Sequence, residues 1–154
     1  MEEARRSVDE LGAFFRSLSG PDRIAAGASM LAIATLALPW RWTKLDDDII
    51  GLVSAFPAGI LAAGTAGLVY VRARRANASL AATLKLLQLG CSLALVVFCA
   101  AFFRAVTDER ILRGAGRGVT SVISSAQPGA YLGAVFALVA LLASAAAALN
   151  RQSR

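Results

Sequence analysis

The sequence predicts an all-α polytopic membrane protein, with four transmembrane helices in an antiparallel bundle preceded by a short amphipathic interfacial helix. Three observations carry this prediction. Four uncharged apolar runs, residues 24–40, 49–71, 86–103 and 129–149, take up about half of the 154 residues, and every charged side chain falls outside them. Each run is close to the roughly 20 residues that a helix rising 1.5 Å per residue needs to cross a hydrocarbon core about 30 Å thick. None has the charged face that a soluble amphipathic helix sets opposite its apolar stripe, and a content of 57% hydrophobic residues is too high for an ordinary soluble domain.

Residues 1–20 form the first element. Val8, Leu11, Phe15 and Leu18 recur at helical spacing with Phe14 beside them, and the charged residues lie mostly elsewhere, which predicts an amphipathic helix on the cytoplasmic face. The alternative is that this face docks on a soluble partner. Ser19-Gly20-Pro21-Asp22 ends that helix and starts the next, because Pro fits a first helical turn. No small-x-small cleavage site precedes the second run, so the first is expected to act as an uncleaved signal anchor.

The membrane domain is expected over residues 21–150, with spans at about 23–42, 49–72, 84–105 and 128–150 and a cytoplasmic tail at 151–154. Pro128 is well placed at a helix start, but Pro57 lies several residues inside an apolar run, where it has no N–H to donate. The second span is therefore expected to kink or restart at Pro57, and a restart would leave residues 47–53 as a short interfacial segment. Ser54-Ala-Phe-Pro57 resembles Ser125-Ala-Gln-Pro128, as a duplicated helical hairpin would, or as chance similarity in Ala-, Gly- and Leu-rich segments would. The connection at residues 107–127, with Arg113-Gly-Ala-Gly-Arg117-Gly, reads as a basic loop without strands, so a phosphate-cradling strand–loop–helix unit is not expected there.

Four spans put both termini on one side. The termini and the middle connection carry ten of the 16 Lys and Arg residues, against six in the other two connections. This bias predicts cytoplasmic termini. Trp40, Trp42, Phe102, Phe103 and Tyr131 would form an outer aromatic belt, with Tyr70 at the inner face. Trp40, Trp42, Arg72, Arg74, Arg75, Arg113 and Arg117 are the expected interfacial or lipid contacts. The net charge of +6 is spread over span ends rather than gathered in one stripe with aromatics, so no nucleic-acid partner is expected.

The chain has no His, and no ionisable residue lies in the middle of a run. Proton relays, ion-coupled carriers and intramembrane metalloenzymes need such groups at depth. No catalytic residue, metal ligand or cofactor is expected, and the chain is read as no enzyme. Cys91 and Cys99 lie about 12 Å apart along one helix and cannot bridge. Gln88 and Ser92 share a face as the intramembrane polar pair, with Thr65 or Ser144 as expected hydrogen-bond partners. Gly59, Ala63 and Gly67 in the second span, and Gly129, Gly133 and Ala137 in the fourth, are spaced by four and predict close helix packing, either within the chain or with a neighbouring subunit.

Leu18-Ser-Gly-Pro-Asp22-Arg23, the run ending Ala37-Leu-Pro39-Trp40, and Pro128-Gly-Ala-Tyr-Leu132 together resemble a loose set of small four-span membrane proteins from high-GC bacteria. The resemblance covers the first and last spans, implies the bacterial inner membrane, and carries over no catalytic residue. The expected role is a structural or accessory subunit, with the lipid bilayer and other membrane subunits or self as partners. The alternatives are a small transporter or channel with a path lined by the third span, and an anchor recruiting a cytoplasmic partner through the N-terminal helix.

Overall fold

Ser19 starts the first complete helix, α1 (Gly20–Ala34): its hydroxyl accepts from the Asp22 N–H, and Pro21 occupies the first turn, where a missing N–H costs nothing. The computed structural model describes residues 10, 12–43, 47–74, 78–106, 110–113, 119–122 and 124–149. Residues 12–17 are helical and lead into α1. Val8 and Leu11 of the expected amphipathic helix lie outside the described residues. After α1 a 3-10 turn, Thr35–Ala37, carries the chain to Leu38. Leu38 is extended, as the residue before a proline tends to be, and strand β1 (Pro39–Thr43) follows.

Strand β2 (Asp47–Ile50) returns antiparallel to β1. A single helical turn, Gly51–Ser54, then breaks at Ala55, and α2 (Phe56–Arg74) begins. The second run therefore restarts at its proline. Pro57 sits in the first turn of α2, where its missing donor leaves no carbonyl unserved. Helix α3 (Ala78–Val106) is the longest at 29 residues, and α4 (Pro128–Leu149) starts on its own proline. Between them lie β3 (Arg110–Arg113), β4 (Val119–Val122) and β5 (Ser124–Ala126).

The chain is mostly helical, but the all-α expectation is corrected by two small sheets. β1 is the middle strand of one, flanked by β2 and β5, and β3 pairs with β4 in the other, all antiparallel. β2 and β5 each lead toward a helix that opens on proline, so the two similar Ser-Ala-x-Pro segments lie beside the two edges of β1. Three helices, Phe56–Arg74, Leu80–Val106 and Pro128–Leu149, are long and apolar enough to cross a membrane. The 15 residues of α1 rise only about 22 Å, and the rest of the first expected span is the 3-10 turn and β1.

The main helix contacts pair α1 with α4 and α2, and α3 with α2 and α4. Most of what packs between the helices is small, around a few larger groups such as Val69 of α2 and Leu95 of α3: Ala25, Ala28, Ser29 and Ala32 of α1, Ala58, Ala62 and Thr65 of α2, and Ala137, Ala140 and Ser144 of α4. Large aliphatic side chains point away, with Leu142 69%, Leu86 68% and Ile60 64% exposed. A water-soluble protein reverses this arrangement, whereas lipid tails are as apolar as leucine and leave close packing of small residues to hold helices together.

Candidate functional site

Three clusters of buried or constrained side chains stand out, one at the β1 end of the helices, one within the helix core and one at the end where α1 begins.

At the β1 end, Trp40 is 1% exposed. Its indole N–H donates to the Thr35 carbonyl at 2.8 Å, and its ring meets Phe102 edge-on with centroids 5.5 Å apart. Glycines make the room for it. A Cβ on Gly133 would lie 2.5 Å from Trp40 Cζ2, one on Gly129 2.5 Å from the Pro39 carbonyl oxygen and 2.7 Å from Trp40 Cδ1, and one on Gly51 would also strike the indole. The backbone closes round the same residue: Gln127 N–H donates to the Trp40 carbonyl at 3.0 Å and Gly51 N–H to the Leu38 carbonyl at 3.0 Å. Beside it, Arg41 Nε donates to Ser124 Oγ at 3.0 Å.

These contacts correct the expected aromatic belt. Trp40 packs in protein, not in the lipid interface, and Trp42, Phe102 and Phe103 are half-buried, so Tyr131 is the exposed ring of that group. Phe103 and Tyr131 stack with centroids 5.0 Å apart.

Within the core, Gln88 is 1% exposed, and its Nε2 donates to Ser144 Oγ at 3.0 Å, joining α3 to α4 through one of the two expected partners. Its Oε1 has no hydrogen-bond partner among the described residues. Ser92 Oγ turns back to the Gln88 and Leu89 carbonyls, Thr65 to Leu61 and Ser29 to Ala25, so these hydroxyls are satisfied within their own helices. Each of the four helices thus brings at least one fully buried polar side chain to the interior.

At the α1 start, Asp22 accepts from the Ser19 hydroxyl at 2.7 Å and forms an ion pair with Arg72, whose side chain is only 8% exposed. Arg72 is therefore held by α1 and is not the lipid contact expected of it. Its Nη1 is buried without a partner among the described residues. Arg23 donates to the Phe15, Arg16 and Leu18 carbonyls, closing the C-terminal end of the segment at residues 12–17. Leu18 is buried with Ala25, Ala26, Val69 and Ala143, and Phe14 and Phe15 pack against that group, so this apolar face rests on the chain's own helices. Phe14 meets the Tyr70 ring at 5.0 Å, and the Arg74 guanidinium lies over the same ring at 5.4 Å.

The two small-residue series behave differently. Gly129, Gly133 and Ala137 are all buried, the two glycines against β1 and the 3-10 turn around Trp40. In α2 only Gly59 faces a neighbour, Leu36, while Ala63 and Gly67 are exposed and α2 packs through Ala58, Ala62, Thr65 and Val69, one position removed. Arg113 lies in β3, paired with Val119, whereas Arg75 and Arg117 fall outside the described residues. The chain matches no family model, no curated protein and no solved structure.

Proposed function

We propose that this chain is a non-enzymatic integral membrane protein of the bacterial inner membrane, acting as a structural or accessory subunit of a homo-oligomer or larger membrane complex. In this reading α1 and the β1 cap together make a short fourth crossing, the four helices form an antiparallel bundle, and both termini are cytoplasmic. The resemblance to small four-span proteins of high-GC bacteria and the excess of basic residues on the terminal side support the location.

The observation that carries the subunit role is the outward face of α2, where Ala63 and Gly67 are exposed between Ile60 and Tyr70 and no helix among the described residues covers them. Small residues at a spacing of four let two helix backbones approach closely. Native mass measurement after extraction in mild detergent and in nanodiscs tests this: a self-complex or a defined heteromeric complex is expected, and Gly67→Leu should weaken it. A strictly monomeric species in both media overturns the role. Orientation is read by placing single cysteines at Asp48 and Ala73 in a chain lacking Cys91 and Cys99. Asp48→Cys should react with a membrane-impermeant reagent in intact cells and Ala73→Cys should not.

A further inference from the structure

Glu10, the segment at residues 12–17 and the last turn of α2 border an open cleft of about 570 Å³ lined by Glu10, Ala13, Phe14, Ser17, Ala73 and Arg74. That volume lies within the roughly 300–1,000 Å³ of small-molecule sites. We propose that this cleft seats the headgroup of a zwitterionic aminophospholipid, its ammonium between Glu10 and Ser17 and its phosphate at Arg74. The inference rests on the membrane reading above and names a ligand for the end of α2.

Charge and hydrogen-bonding capacity argue for this ligand. Glu10 stands on one wall and Arg74 on the other, yet the two are not joined in an ion pair, whereas the neighbouring Arg72 pairs with Asp22. Arg74 instead lies over Tyr70 with its side chain exposed, and a guanidinium can take an oxyanion bidentately. Ser17 spends its only proton on the Phe14 carbonyl at 2.7 Å, so its oxygen has acceptor capacity to offer, which suits an ammonium and not a phosphate. A purely anionic headgroup would satisfy Arg74 but meet the Glu10 carboxylate, as would inorganic phosphate. A headgroup carrying both signs matches both walls.

Placement agrees with the chemistry. α2 is apolar up to Tyr70, which is 48% exposed, and ends in Arg72 and Arg74. That is the sequence of an apolar helix leaving the hydrocarbon at headgroup level. Phe14 packed on Tyr70 fixes the segment against α2 and so sets the width of the cleft.

The test uses the full-length protein, delipidated in detergent and titrated with dioleoylphosphatidylethanolamine, dioleoylphosphatidylglycerol or inorganic phosphate, with adducts read by native mass spectrometry. One phosphatidylethanolamine should bind at least fivefold better than phosphatidylglycerol. Glu10→Gln should abolish that preference while keeping phosphatidylglycerol binding, and Arg74→Gln should weaken both lipids. Equal affinity of the wild type for the two lipids, unchanged preference in Glu10→Gln, or adducts confined to a dimeric species overturns the proposal, the last by giving this face to a second copy. Both side chains are exposed, and unchanged thermal unfolding of the variants separates loss of the site from loss of fold. Resistance of the protein to alkaline carbonate extraction from membranes reports separately on the membrane reading, so failure of one is not mistaken for failure of the other.

Discussion

At the scale of single residues, Trp40 and its glycines set the tightest constraint. A methyl group at Gly133 has no room beside the indole, and overfilling a packed site costs about 1–3 kcal/mol. Gly133→Ala should therefore destabilise the chain by that amount, read as the shift in unfolding on titration with denaturing detergent. Gly67→Ala, where nothing lies within 4 Å of the added carbon, should be neutral or slightly stabilising for the isolated chain. Gln88 allows a less obvious expectation. Its Oε1 has no partner among the described residues, so Gln88→Met removes an already half-satisfied amide, and the Ser144 hydroxyl can turn to a carbonyl of its own helix. That variant should be near neutral. Ser144→Ala, by contrast, takes the partner from Nε2 and leaves a buried amide with neither end bonded, at about 1–3 kcal/mol. The same detergent titration ranks the two, and the order should be Ser144→Ala the less stable.

At the scale of elements, the joins between helices hold most of what is specific. Asp22 accepts from the Ser19 hydroxyl that caps α1 and neutralises Arg72 of α2, so Asp22→Asn leaves a guanidinium buried without its counter-charge, a loss of about 3–5 kcal/mol. Arg72→Met should cost less, because it removes the charge that needs the partner, and the double variant should resemble Arg72→Met alone. Pro57 should prove mild. Because α2 begins beside it, Pro57→Ala changes mainly the freedom of the unfolded chain and should destabilise by about 0.4–1 kcal/mol, far below the roughly 3 kcal/mol of a proline in a helix interior. Circular dichroism should show unchanged helix content.

The third and fourth runs were legible as long helices because about twenty residues of uniform hydropathy leave little choice of structure, whereas the first run gives way to a 3-10 turn and β1 and the second begins in β2; the Ser19-Gly-Pro-Asp22 boundary was legible because helix-start chemistry is local. That Gln88 bonds across the helices was legible too, since a carboxamide in an apolar run must find a partner, but the choice of Ser144 over Thr65 was not. The strands were not, because three to five residues such as Ser124–Ala126 are too few to establish a period of two. Nor was the destination of Trp40 or Arg72. A tryptophan at the end of an apolar run looks the same whether it meets lipid or three glycines, and the acid that holds Arg72 stands 50 positions earlier.

At the scale of the whole molecule, an outer surface rich in exposed large aliphatic side chains defines a particle that should be stable only where that surface is solvated by something apolar. Removing detergent by dialysis without added lipid should precipitate the protein, whereas reconstitution into vesicles should keep it folded. The decoration at the two ends of the helices differs in kind: a glycine-caged indole under a small sheet at one, and arginines held by carbonyls, a carboxylate and a tyrosine ring at the other.

The middle position of β1 bears on how the molecule is made. One edge of β1 is satisfied by β2, a few residues on, but the other must wait for β5, and the Trp40 cage needs Gly129 and Gly133, about ninety residues downstream. During synthesis the first hairpin therefore emerges with a tryptophan unhoused and a strand edge unpaired, and only the arrival of the last helix can close it. Chains ending after residue 123 should show indole emission that is red-shifted and readily quenched, and the complete chain a blue-shifted, protected one. A segment made some ninety residues later would then act as the keystone for the first hairpin.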